Sequence, residues 1–229
     1  MMWLIIGLLT LLVALIGFYP LLKNNKLYFV SGFLVLGIIA GLSYFHLGAW
    51  QAQTMLDKTA DKLPYFYERI EEQESKPLSE QEIQQFAIGL RLKVQQTPND
   101  DQRWFLLGQL GMALGDGKLA LDSYAKAHQI KPDDIDYKLA YARILMFSDD
   151  VTDKNQGETL LKQVIRQDHS NLDALSLLAF RYFEQQDYKM AIVSWSMMLK
   201  LMPENDPKRD LLERSIRSAR DALEELQGK

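Results

Sequence analysis

DQRWFLLGQLGMALGDGKLALDSYAKAHQIKPDD, residues 101–134, decides the fold. Counted from Asp101, the residues Trp104, Leu107 and Gly108 fall at places 4, 7 and 8, and Ala120, Tyr124, Ala127 and Pro132 at places 20, 24, 27 and 32. A helix–turn–helix repeat of about 34 residues puts a large residue, close-contact small residues, a ring and a terminating proline at these places. A small residue at place 8 is expected to let the first helix approach the second, with Ala120 facing it. The ring at place 24 fills the gap between them. Pro132 stops the second helix because it has no N–H to donate and its ring collides with the preceding turn.

The pattern returns 71 residues later as Leu175, Leu178, Ala179, Ala191, Trp195 and Pro203. Two repeats therefore frame a middle one of 37 residues, with Tyr141 and Ala142 at its places 7 and 8 and Leu161 and Val164 in its second helix. Its three extra residues are expected within the polar run Ser148–Gln156, and His169 stands where the proline would be. Such a series is the tetratricopeptide (TPR) signature, with repeats at 101–134, 135–171 and 172–205. Ser79 and Glu82 form a capping box ahead of Ile83, Phe86, Leu90 and Val94, which predicts a helix ending at Thr97-Pro98. Asp206-Pro207 reads as a cap followed by proline at the first helical position. The helix over 206–227, with Leu211, Leu212, Ile216, Leu223 and Leu226 on its apolar side, would cover the open end of the stack. The soluble domain then runs over 79–229.

The N-terminus is different in kind. Residues 1–50 hold no Asp or Glu and two basic residues, Lys23 and Lys26. Residues 3–22 and 27–47 are each long and apolar enough to span a bilayer as a helix, since a core of about 30 Å takes about 20 residues. Residues 1–48 are thus expected to form a transmembrane hairpin whose Lys23–Lys26 turn is cytoplasmic, because basic residues favour that side. The rest of the chain would then face the periplasm. The predicted fold class is all-α: a transmembrane helical hairpin, a connector over 49–78, a TPR-type solenoid and a C-terminal capping helix. In the connector, Tyr65-Phe66-Tyr67 reads as a docking contact on the membrane or the soluble domain.

Several functions are set aside by composition. Beyond residue 50 acidic side chains outnumber basic ones and no basic block occurs, which gives no electrostatic footprint for nucleic acid. Without cysteine there is no disulfide, thiol redox centre or thiolate metal site. His46, His128 and His169 are far apart and have no second ligand at metal spacing; His128 is expected on an exposed part of its helix. No nucleophile elbow, phosphate loop or paired-carboxylate motif stands out. The expectation is a chain with no catalytic residue, no metal and no cofactor.

In such solenoids the first helix of each repeat lines the binding face. Its places 2, 5, 9, 12 and 13 supply a predicted peptide-binding groove of Phe105, Gln109, Met112, Leu139, Arg143, Met146, Phe147, Phe180 and Phe183. An apolar face with adaptable Met side chains and one Arg suits an amphipathic helix or an extended segment with apolar anchors. It lacks the set of Lys and Asn residues needed to clamp a chain-terminal carboxylate. For Phe105, Phe147 and Phe180, ligand contact and burial against neighbouring repeats are both open.

Some stretches are more specific than the general repeat. They are Thr97-Pro98-Asn99-Asp100 before Trp104-Phe105-Leu106-Leu107-Gly108, then Tyr124-Ala125-Lys126-Ala127 and Pro132-Asp133-Asp134. Asp187-Tyr188-Lys189-Met190-Ala191-Ile192 followed by Trp195, Leu199 and Pro203 is the most specific. With the enlarged middle repeat, residues 90–225 resemble the CycH/CcmI-type subunits of bacterial cytochrome c maturation and their relative NrfG. The resemblance implies a bacterial inner-membrane protein with a periplasmic TPR domain. It would hold apocytochrome c by its C-terminal helix and present it to the membrane subunits of the haem lyase. Many members have a long cytoplasmic loop between the spans, and here that segment is only Lys23–Lys26. General maturation and a nitrite-reductase-specific role are both open, as is the alternative of a general envelope scaffold that organises another membrane complex.

Overall fold

The computed structural model of the chain describes residues 61–71 and 77–228, together with Thr59 and seven helical positions between Gly32 and Gly41. The expected first span and the turn after it lie outside the described residues, as does most of the second span. Among the described residues no helix is long and apolar enough to cross a membrane. The chain divides into two compact units, Met1–Lys58 and Thr59–Lys229, and the second holds the helical repeats.

Every regular element among its described residues is an α-helix: α1 (Leu63–Glu71), α2 (Glu80–Gln96), α3 (Asp101–Ala113), α4 (Gly117–Ile130), α5 (Ile135–Met146), α6 (Val151–Gln167), α7 (Leu172–Glu184), α8 (Tyr188–Leu201) and α9 (Arg209–Gln227). Local chemistry sets the starts. Asp100, Asp116, Asp134, Asp150, Asn171 and Asp187 stand in turn as N-caps of α3 to α8, each accepting a backbone N–H of the first turn. Five of the chain's 30 acidic residues are thus helix starts. At α2 the capping box is complete. Glu82 Oε2 accepts the Ser79 N–H at 2.9 Å, and the Ser79 Oγ accepts the Glu82 N–H. The hydrogen bonds from the Ser79 backbone and hydroxyl hold the Glu82 carboxyl down at about 2.

Each helix packs mainly on its neighbours in sequence: α3 on α4, α5 on α6, α7 on α8, and the successive pairs on one another. That is the nearest-neighbour stacking of a solenoid. The close approaches differ in one respect from the expectation. A Cβ at Gly108 would lie 2.5 Å from the Tyr124 ring, so place 8 is small to admit the ring at place 24. Ala120 is faced instead by Gly111, where a Cβ would meet the Ala120 nitrogen at 2.7 Å. In the middle repeat the equivalent of Ala120 and Ala191 is Gly157, buried against Leu145, Met146 and the Ala142 carbonyl. This places the three-residue insertion: α6 has 17 residues where α4 and α8 have 14. The extra residues extend the helix at its start, where Asp150 caps it and the Ser148 hydroxyl donates to Asp153 at 2.6 Å.

Both ends depart from the expected boundaries. Tyr65-Phe66-Tyr67 belongs to α1, which packs on α2. Phe66 is buried and stacks on Phe86 with ring centres 5.1 Å apart, while Tyr67 meets the same ring edge-on. A Cβ at Gly89 would sit 2.9 Å from the Thr59 carbonyl, so the packed unit begins well before residue 79. At the other end the helix starts at Arg209. Asp206 accepts the Lys208 N–H at 2.8 Å, which makes Asp206–Lys208 a turn. Arg209 then donates to the Leu199 and Met202 carbonyls at 2.7 and 3.0 Å, satisfying the orphan end of α8. α9 buries Leu212, Ile216 and Ala219, while Leu211 and Leu226 are exposed.

Candidate functional site: the face of the first helices

A pocket of about 280 Å³ opens between α3 and α5, lined by Gln109, Met112, Tyr124, Ala140, Arg143 and Ile144. Its geometry follows from the repeat. Gly108 lets the Tyr124 ring come up between the paired helices, and the ring reaches the pocket. Burial pushes the Tyr124 hydroxyl up, partly opposed by the positive charge of Arg143, so the phenol is neutral at pH 7 and can donate or accept. Arg143 is partly exposed and its guanidinium donates to Asp173 of α7 at 2.5 Å. The pair orients the guanidinium along the face of the first helices. Both groups are solvated, so its net worth is ~1 kcal/mol or less, and a ligand carboxylate can compete for the Arg.

The predicted groove residues separate into groups. Gln109, Met112 and Arg143 share the pocket. Phe105 packs beside it on Tyr124 and Tyr137, at 5.6 and 4.7 Å between ring centres. Phe180 and Phe183 both lean on the buried Trp195, at 5.7 and 5.8 Å; Phe180 is 54% exposed and Phe183 is half-buried. Phe147 caps the end of α5 and is 70% exposed. Leu139 and Met146 pack with Phe183 against the main core cluster, so core packing takes up much of their surface. Tyr124, Ala140 and Ile144 were missing from the expectation. Ala140 and Ile144 face the pocket because it forms between two successive first helices, and Tyr124 reaches it from α4.

Polar links fix these helices relative to one another. Asp101 accepts from the Tyr137 hydroxyl and from Lys131, each at 2.7 Å, tying the first repeat to the second. The Lys131 hydrogen bond keeps the Asp101 carboxyl below its ordinary value, and burial followed by the contact with Asp101 pushes the Tyr137 phenol up. Between the second and third repeats, the buried Arg181 donates to Asn155 at 3.0 Å and pairs with Glu158 and Glu184. Burial raises the Glu158 carboxyl, but hydrogen bonds from Lys162 and Gln185 outweigh it and the carboxyl is lowered.

His128 is not on an open surface. Its ring lies 5.8 Å from that of Tyr141 on α5, and its Nδ1 is buried with no hydrogen-bond partner among the described residues. Burial, followed by the charge of Lys138, lowers its pKa. His169 is exposed in the Asp168–Ser170 turn. Among the described residues no group of His, Cys, Asp or Glu is arranged to hold a metal ion.

Paired helices in register and an apolar pocket on the face of their first members define a TPR-type solenoid. In fold the chain is similar to crystal structures of MamA. One has a TM-score of 0.51 at 15% identity, covering 75% of this chain and 91% of that one; a double mutant from RS-1 gives 0.53 at 12%, covering 75% and 98%. The family described as the cytochrome c-type biogenesis protein H TPR domain matches residues 52–209, and the chain belongs to it. A Haemophilus influenzae protein provisionally named cytochrome c-type biogenesis protein CcmH is 58% identical over 87% of this chain and 44% of its own length. Escherichia coli K12 cytochrome c-type biogenesis protein CcmH is 39% identical over 88% of this chain and 57% of its own. The formate-dependent nitrite reductase complex subunit NrfG of Escherichia coli O157:H7 is 28% identical over 57% and 66%. The chain thus spans about half the length of the CcmH relatives it matches.

Proposed function

We propose that this chain is a non-catalytic, membrane-anchored TPR subunit of the cytochrome c maturation machinery. It holds apocytochrome c by its C-terminal helix and presents it to the haem lyase for haem attachment. The observation that carries the reading is the pocket between α3 and α5, with Met112, Ile144 and Ala140 on its walls and one accessible guanidinium at Arg143. An amphipathic helix can set one apolar side chain into such a pocket and a carboxylate against the Arg. Phe180, half exposed on Trp195, offers a second apolar anchor farther along the same series of first helices. Residues 3–22 and 27–47 are the proposed anchor, with the repeats on the periplasmic side of the bacterial inner membrane. The identities of 58% and 39% to proteins named for cytochrome c biogenesis, against 28% to the nitrite reductase subunit, favour the general role.

The test is titration of the full chain in lipid nanodiscs with C-terminal helix peptides of the host's c-type apocytochromes, beside scrambled peptides of equal composition. Sequence-selective binding is expected. Arg143→Ala and Phe180→Ala should each weaken it about tenfold, the scale of losing one anchor at an interface. Equal binding of native and scrambled peptides would sink the reading.

A further inference from the structure

The second helices of the repeats carry equivalent side chains at places 19, 22, 26 and 30. In the middle repeat, allowing for its insertion, these are Gln156, Thr159, Gln163 and Gln167, all exposed. In the first repeat Asp122 and Lys126 take the two central places and Leu119 is buried. In the third they are Met190, Val193, Met197 and Leu201, between 36% and 48% exposed. Steps of three, four and four residues align them in one stripe along α8, about 16 Å long at 1.5 Å per residue. Folding does not require the stripe. The core side of α8 is already filled by Ala191, Ser194, Trp195 and Met198, and α9 packs on the helix yet leaves the stripe open.

Charge says what covers it. Lys189 and Lys200 are exposed at the two ends, and α8 contains no Asp or Glu. The nearest acid in sequence, Asp187, is occupied as the N-cap and accepts the Met190 N–H at 3.2 Å. We propose that this face docks an amphipathic α-helix of a partner protein. That helix carries apolar residues at every third or fourth position, flanked by Asp and Glu that meet Lys189 and Lys200. Two Met side chains in the stripe give it the adaptability that helix-on-helix docking uses. A second copy of this chain fits poorly. Antiparallel two-fold pairing about the middle of the stripe sets Lys189 of one copy beside Lys200 of the other, and parallel pairing sets each lysine against itself; like charges brought together at an interface oppose binding. The site is on a second helix, whereas the peptide pocket lies between first helices, so either can fail without the other.

The experiment places a photoreactive benzoylphenylalanine at Val193 in the full chain in its host's membranes, with Thr159, the equivalent place in the middle repeat, as control. The expected product forms from position 193 and not from 159. Mass spectrometry should map it to a helical segment with that apolar spacing and acidic flanks. Its yield should fall about tenfold in Lys189→Glu/Lys200→Glu, a change typical of losing interface hot spots. A product with lipid, with a second copy of this chain or with a segment lacking the pattern would overturn the proposal. So would no product, or a yield indifferent to charge reversal.

Discussion

At the scale of single residues, the same place in two repeats is solved in two ways. In the first and third repeats the turn between the paired helices has a left-handed residue at place 15. The first repeat uses Gly115 with φ 68°, the third uses Gln186 with φ 62°. A side chain in that region costs about 1 kcal/mol or more. Gln186→Gly should therefore stabilise the protein by ~0.5–1 kcal/mol after the glycine's own loss of freedom is subtracted, read as a rise in the urea midpoint at constant slope. His128 makes the pH argument. Burial holds its pKa in the folded state below the ordinary 6.5, so the unfolded chain binds the proton first. The stability it contributes is present above that ordinary value and is lost as pH falls below it. Native protein should lose stability between pH 7 and 5, and His128→Gln should flatten that part of the profile. An unchanged slope would show that other groups set it.

At the scale of elements, pairing of α3 with α4 rests on close approaches at Gly108 and Gly111. Gly111→Ala gains helix propensity of about 1 kcal/mol. Its Cβ, however, would lie 2.7 Å from the Ala120 nitrogen, a backbone atom that cannot turn aside. Overpacking of this kind costs ~1–3 kcal/mol, so the variant should be less stable by chemical denaturation. Gly108→Ala should suffer less if the Tyr124 ring can tilt. The enlarged middle repeat shows the converse economy. Its three extra residues add nearly a turn to the start of α6, and farther along the same helix Asn155 and Glu158 hold Arg181 of α7.

At the scale of the whole repeat domain, stability is a chain of neighbour contacts closed at its end by α9. Removing residues 206–229 takes Leu212, Ile216 and Ala219 out of the core cluster that contains Trp195 and Met198. The domain should then open from that end. Amide exchange in α7 and α8 should quicken strongly, while α3 and α4 stay protected, as expected when elements touch only their neighbours. Uniform loss of protection would mean that the repeats unfold as one unit.

What the sequence by itself determined is local: the capping box of Ser79 and Glu82, the stops before Pro132 and Pro203, and the 71-residue recurrence that makes the chain a helical repeat. Each depends on side chains and backbone a few residues apart, or on a periodicity that one chain displays. The tertiary structure decided what depends on the neighbouring repeat. Gln109, Met112 and Arg143 stay open while Leu139 and Met146 go largely to packing, although all five stand at groove places of their helices. Tyr124, Ala140 and Ile144 complete the pocket because two repeats meet there. Phe66 proved to be core, with Phe86 as its partner. The counting frame of a single repeat shows which way a side chain points, and only the stacked neighbour decides whether it meets protein or water.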